Sequence, residues 1–244
     1  MNECFIALLL VTIVFFAAFE QTITGFGFSL IVMPLVSLVL GIRNAAPVVA
    51  LTALTLYVVN LIRHREAVRV SQVVRLSLAL ACGIPVGIWA LSKVIESAIK
   101  MLLGALLIGF AYYSLAQRVS ARLISKRWSY LAGFLAGCLG GAYNTPGPPL
   151  IVYGTLQRWE KEEFRAALQF LFFVTGVLTV LSHVLTGHLT MPVLTIYAYV
   201  LPALLLGIIA GAGADRWIDK RRFRALVNVM ILILGLSLVV GVGR

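Results

Sequence analysis

Charge is scarce in this chain of 244 residues: Asp, Glu, Lys and Arg together make up 12% of it, about half of what a soluble domain carries. A soluble globule of this size has too much surface to cover with so few charges. An ordinary soluble enzyme, a disordered chain and a coiled coil are thereby excluded. Acids are scarcest, with 9 Asp+Glu against 20 Lys+Arg. Cysteine is rare and isolated: Cys4, Cys82 and Cys138 form neither a CxxC pair nor a metal-binding spacing, and core packing is their expected role. His64, His183 and His188 share no ligand spacing either, so no metal and no cofactor is expected. No GxxxxGK[ST] run is present to hold a nucleotide.

What the chain has instead is apolar length. Hydrophobic residues make up 61% of it, in runs at 4–19, 26–42, 45–62, 73–91, 98–117, 129–142, 147–157, 166–186, 192–213 and 223–242. Six of these (45–62, 73–91, 98–117, 166–186, 192–213, 223–242) have about the 20 residues a helix needs to cross hydrocarbon. The other four form two adjacent pairs, split at Thr22–Gly27 and at Asn144–Pro149. The first run lacks the basic n-region and the small-x-small cleavage site of a secretory leader, so it is read as structure. The expected fold class is an all-α polytopic membrane protein.

The net charge of +11 suits nucleic acid or anionic lipid, and its placement decides. Lys and Arg favour cytoplasmic loops. If each split pair crosses the membrane once, there are eight crossings and basic clusters lie on both sides. If each pair is a re-entrant hairpin, Arg63/Arg65/Arg69/Arg75, Arg118/Arg122/Lys126/Arg127, Arg158/Lys161/Arg165 and Arg216/Lys220/Arg221/Arg222/Arg224 fall together. Only Arg43, Lys93, Lys100 and Arg244 then remain opposite. That bias places the clusters in the cytoplasm and both termini outside, and it accounts for the basic balance without nucleic acid. One integral membrane domain results, with repeats at 1–117 and 128–244 and a cytoplasmic connection at 118–127. Each repeat is a broken or re-entrant helical hairpin followed by three transmembrane helices, and the two are inverted. A shift of 122 pairs Gly25 with Gly147, Arg43 with Arg165 and Ala45 with Ala167. Inverted repeats with broken helices are the secondary-transporter pattern, with substrate bound near the midplane.

The two breaks carry the chemistry. They read Glu20-Gln21-Thr22-Ile23-Thr24-Gly25-Phe26-Gly27-Phe28-Ser29 and Gly140-Gly141-Ala142-Tyr143-Asn144-Thr145-Pro146-Gly147-Pro148-Pro149. Irregular backbone at membrane depth is tolerated only inside protein or against a water-filled cavity. Pro148 or Pro149 suits the first turn of a restarted helix, where no N–H bond is lost. Helix N-termini are therefore expected near Gly27–Ser29 and Pro148–Leu150. Free N–H groups at such ends favour an anion, and Thr22, Thr24, Ser29, Tyr143, Asn144 and Thr145 add neutral donors. The candidate substrate-binding set is Thr22, Thr24, Gly25, Phe26, Gly27, Phe28, Ser29, Tyr143, Asn144, Thr145, Pro146, Gly147, Pro148 and Pro149. A site of neutral donors suits an anion that must leave again; a buried arginine would bind it too firmly.

Glu20 is the one acid within a hydrophobic element, where a carboxylate marks function by default; it is the candidate carrier of a coupling proton. Gln169 is the candidate cavity-lining residue. Asn60, Thr175, Thr179 and Asn228 read as interhelical hydrogen-bonding groups. Gly83-x3-Gly87, Gly133-x3-Gly137-x3-Gly141 and Gly207-x3-Gly211 mark tight helix crossings.

The run Thr24-Gly25-Phe26-Gly27-Phe28-Ser29-Leu30-Ile31-Val32-Met33-Pro34 resembles the first-helix signature of the sulfite exporter TauE/SafE family. Gly141–Pro149 followed by Tyr153 is similar to that family's second signature, and Leu201–Gly213 with Phe223–Leu238 resembles its last two helices. The resemblance covers nearly the whole chain and implies an inner-membrane permease for small sulfur-containing or organic anions. Family first motifs often have a third glycine where this chain has Phe28-Ser29. The expected function is a secondary transporter that moves a small anion across a bacterial or archaeal inner membrane by alternating access. That anion is a sulfur-containing oxyanion, an organic sulfonate or a carboxylate, and H+ is the candidate coupling ion. The alternatives are a passive anion channel and a non-transporting membrane subunit. An enzyme is not expected, since no acid accompanies His183. The expected partners are the anion, H+ and membrane lipid, with no nucleic acid; oligomeric state is open.

Overall fold

The computed structural model describes residues 3–65, 70–93, 127–157 and 159–214, with isolated positions between 101 and 125 and between 229 and 239. The apolar runs at 98–117 and 223–242, the connection at 118–127 and Asn228 lie mostly or wholly outside the described residues. Among those residues eight helices form: α1 (Glu3–Thr24), α2 (Phe28–Leu40), α3 (Ile42–His64), α4 (Val70–Lys93), α5 (Trp128–Tyr143), α6 (Gly147–Leu156), α7 (Lys161–Leu185) and α8 (Met191–Ala214). Five contain spans long and apolar enough to cross a membrane: Phe5–Thr24, Ile42–His64, Val73–Ala90, Glu163–Leu185 and Met191–Ala214. Large apolar side chains such as Phe16, Leu78, Trp89, Tyr199 and Ile209 cover the outside, a surface that lipid suits and water does not.

The helix boundaries follow local chemistry. Nothing in α1 breaks a helix before Gly25, whose φ is +90°, so α1 runs five residues past the first apolar stretch and carries Glu20, Thr22 and Thr24 with it. The first break shrinks to Gly25–Gly27. The second shrinks to Asn144–Pro146, with Tyr143 still helical and Pro148 and Pro149 in the first turn of α6. The 13 residues of α2 span about 20 Å and the 10 of α6 about 15 Å, both short of the roughly 30 Å of a hydrocarbon core.

Short second arms turn back. Ile6 and Leu10 near the start of α1, Leu40 at the end of α2 and Met191 at the start of α8 line one groove of about 760 Å³. The end of α2 thus lies beside the first turns of α1 and the start of α8. In the other pair, Ser129 at the start of α5 hydrogen-bonds Tyr153 in α6, with Arg75 of α4 close by. Trp159, just past α6, packs on Tyr153 and on Phe164 of α7, with ring centroids at 5.8 and 6.4 Å. The end of α6 thus lies beside the start of α5, near the first turns of α4 and α7.

Glycine sets the closest crossings. Gly83 and Gly87 of α4 lie on the backbone of Phe134 and Cys138 in α5, while Gly133, Gly137 and Gly141 of α5 lie on Leu76, Leu80 and Ile84 of α4. A Cβ at Gly137 would fall 2.9 Å from the Leu80 carbonyl carbon. Gly207 and Gly211 of α8 lie in the same way on Phe15 and Phe19 of α1. At the centre α3 packs on α7, with Leu54 against Gly176 and Tyr57 stacked on Phe172 at 5.2 Å.

Candidate functional site

The first break is held by side chains from α1 and α7. Gly25 at φ +90° and Gly27 at φ +121° occupy backbone conformations that L side chains rarely adopt. The buried Glu20 carboxylate lies directly against Gly27, where a Cβ would come within 2.8 Å of Glu20 Cδ. Thr24 Oγ1 stands 2.7 Å from Glu20 Oε1 and 2.6 Å from the Phe26 carbonyl oxygen. A hydroxyl has one proton to give, so those two acceptors and the Glu20 backbone carbonyl at 3.1 Å compete for it. Gln21 Oε1 accepts the N–H of Phe28 at 2.9 Å. The start of α2 is therefore capped by a side chain, and that N–H is not among the free donors expected there.

Across the interface, Gln169 Nε2 donates to the Gly25 carbonyl at 3.0 Å. Arg165 packs its Cγ on Gly25, and its guanidinium donates to the carbonyl of Ile23. Arg165 is only 8% exposed. This corrects two expectations: Arg165 does not belong to a solvated loop cluster, and the break is not lined by neutral groups alone. Helix α7 begins at Lys161, ahead of the apolar run, and carries Arg165 inward on its second turn.

The second break is neutral. Asn144 adopts φ +55°, a left-handed conformation that asparagine tolerates at a helix C-terminus. Its N–H bonds the Gly140 carbonyl at 2.9 Å, and Thr145 N–H bonds that of Leu139 at 3.3 Å. Asn144 Nδ2 donates to the Ala46 carbonyl of α3 at 2.8 Å. Tyr143, Thr145, Pro146, Gly147 and Pro148 are buried and Pro149 is half-buried.

The breaks are linked through two rings. Ser29 at the start of α2 bonds the Tyr57 hydroxyl at 3.1 Å, Tyr57 stacks on Phe172, and a Cβ at Gly147 would lie 3.7 Å from Phe172 Cζ. Tyr57 and Phe172 therefore stand between them. Thr22 is not brought to the break: it bonds back to Ala18 at 2.8 Å and lies against Gly211 of α8. The structure adds Gln21, Tyr57 and Arg165 to the site. Two signals pointed to Arg165: its pairing with Arg43 across the repeats, and its place one turn before Gln169. The turn after α7 also joins His183 and His188, Nδ1 to Nδ1 at 3.1 Å, although no group of three His, Cys, Asp or Glu suited to a metal occurs among the described residues.

Residues 10–238, which include both breaks, match the family described as Sulfite exporter TauE/SafE. The chain belongs to this family. It is similar to the probable sulfite/organosulfonate exporter TauE of Cupriavidus necator, 27% identical over 201 residues that cover 78% of this chain and 77% of that protein. No solved structure matches it. Membership and the five apolar spans make this TauE/SafE chain a multi-pass membrane transport protein and not an enzyme.

Proposed function

We propose that this TauE/SafE protein is a secondary transporter that carries a small anion across the inner membrane by alternating access. The anion is a sulfur-containing oxyanion, an organic sulfonate or a carboxylate. One observation carries the reading: two opposite charges, Arg165 and Glu20, are buried on the two glycines of a single three-residue break. Buried charge is costly and marks substrate or ion pathways in membrane proteins. The anion site is assigned to Thr24, Gly25, Phe26, Gly27, Phe28 and Ser29 with Arg165 and Gln169, and to Tyr143, Asn144, Thr145, Pro146, Gly147, Pro148 and Pro149 on the other side of Tyr57 and Phe172. The two hairpins, each with its second arm ending beside the start of its first, support inverted repeats at 1–117 and 128–244, the cytoplasmic connection at 118–127 and termini outside.

Glu20 is assigned the coupling proton, and Thr24 supplies the link. When Glu20 is ionised, it competes with the Phe26 carbonyl for the one Thr24 proton. When Glu20 is protonated, it donates to Thr24 Oγ1 and frees that hydroxyl to hold Phe26. Protonation is thereby coupled to the backbone of the break. The test is flux in proteoliposomes against a panel of small anions, with and without a pH gradient. The expected result is saturable anion flux that a pH gradient accelerates, with the acceleration lost in Glu20→Gln. Unchanged acceleration in Glu20→Gln removes the proton role, and absence of any anion flux overturns the transporter reading.

A further inference from the structure

Around the first break several buried polar atoms have no partner. Gln21, Asn60 and Gln169 are at most 2% exposed, yet Gln21 Nε2, Gln169 Oε1 and both side-chain polar atoms of Asn60 make no hydrogen bond. A native protein keeps few such atoms, because each carries a full desolvation penalty. A cluster of them marks a place that a ligand fills.

The members of the cluster converge. Leu54 meets Gly176 and Tyr57 meets Phe172, so α3 and α7 run antiparallel. One turn beyond Tyr57 on the same face is Asn60; one turn back from Phe172 is Gln169. The two amides therefore lie at one level beneath the ring pair. Gln169 is tied to Gly25, and Gln21 is tied to Phe28, next to the Ser29 that holds Tyr57. Arg165 sits one further turn along α7 on the Gln169 face. The amide orientations are fixed by these bonds: Gln169 gives its N–H to a carbonyl, leaving an oxygen free, and Gln21 takes an N–H, leaving a donor free.

That inventory describes an occupant. Gln21 Nε2 and Asn60 Nδ2 offer donors to anionic oxygens, and the Arg165 guanidinium adds positive charge nearby. Gln169 Oε1 and Asn60 Oδ1 offer acceptors, which an anion with no proton to share would leave unpaired. Resting on the anion transport proposed above, we infer that the substrate is a small oxyanion carrying its own hydrogen-bond donor, and that Asn60 and Gln169 select for that donor. The donor is an acid O–H, a hydroxyl or an ammonium group. A site built to pair with a substrate group discriminates strongly against the analogue that lacks it.

The experiment compares two pairs of monoanions matched in shape, in proteoliposomes containing the full chain: 2-hydroxyethanesulfonate against ethanesulfonate, and hydrogensulfite at mildly acidic pH against chlorate. The first pair tests a hydroxyl and the second an acid proton. Preference of about tenfold or more for the donor-bearing member of either pair is expected, and Asn60→Leu and Gln169→Met should shrink it. Asn60→Leu, nearly equal in size, should also leave the thermal midpoint in detergent unchanged or higher, because it deletes two unpaired polar atoms. A structural role for Asn60 would lower that midpoint instead, and a clear fall overturns the assignment. Equal flux within both pairs, or a preference that survives both substitutions, overturns the inference while leaving anion transport standing. Flux of none of the four overturns the inference, and flux of no anion in the full panel, carboxylates included, overturns both.

Discussion

A single methyl group added at Gly27 would meet the Glu20 carboxylate and would also have to adopt φ +121°. Strained backbone at a non-glycine residue costs about 1–3 kcal/mol, and the steric contact adds to it. Gly27→Ala is therefore expected to lower the thermal midpoint in detergent sharply and to abolish flux. Gly25→Ala, whose Cβ would meet the Arg165 side chain at Cγ (3.3 Å) and Nε (3.8 Å), should be the milder of the two. Equal midpoints for the two variants would show that Glu20 does not fill the space under Gly27. Here the sequence was legible in part. Glycine spacing located the break, and Glu20 stood out as an acid among apolar neighbours. Arg165 was hidden because its neighbours in sequence, Lys161, Glu162 and Glu163, are charged, and charge reads as loop until a helix boundary is known. Asn60 was hidden for a different reason: a lone amide in a membrane helix looks the same whether it bonds a neighbouring helix or a ligand.

Among the elements, the paired glycine stripes decide which helices can touch. The backbone of α4 lies on α5 through Gly83, Gly87, Gly133, Gly137 and Gly141, with nothing larger than the Ala79 methyl facing these glycines. Gly137→Val is expected to prevent recovery of folded protein, since its Cβ has backbone on two sides. Gly213→Ala in α8 is the control: among the described residues nothing lies within 4 Å of its Cβ, and replacing a helical glycine by alanine gains roughly 0.5–1 kcal/mol. Its midpoint should stay level or rise, as read by thermal melting of the purified protein. These crossings were plain in the sequence, because small residues four apart have few other uses in so apolar a segment. Helix ends were less plain. Apolar runs mark what lipid covers, whereas α1 and α7 extend past their runs, to Thr24 and back to Lys161, and protein covers Glu20, Gln21, Thr22, Thr24 and Arg165 there instead.

For the whole molecule, the hairpin reading makes Asn2 and Arg43 neighbours on one face although some forty residues separate them. In a chain cleared of Cys4, Cys82 and Cys138, cysteines at positions 2 and 43 should react with a membrane-impermeant maleimide from the same side, the outer one, and a cysteine at Arg63 only from the other. Opposite sidedness for positions 2 and 43 would mean that α1 and α2 together cross the bilayer. The shape of the bundle has an electrical consequence as well. Any anion passing from the Arg165 side to the Asn144 side has to cross the layer formed by Tyr57 and Phe172, which carries no ionisable side chain except one phenol. A monoanion crossing alone shifts a full charge within the transmembrane potential, about 2.3 kcal/mol per 100 mV. On the coupling proposed above, Glu20 takes up and releases one proton with each monoanion, and the full cycle moves no net charge. On that proposal a potassium diffusion potential should leave the flux of the unaltered protein unchanged and should bias that of Glu20→Gln; the carboxylate at the first break would then be the device that frees transport from the cell's voltage.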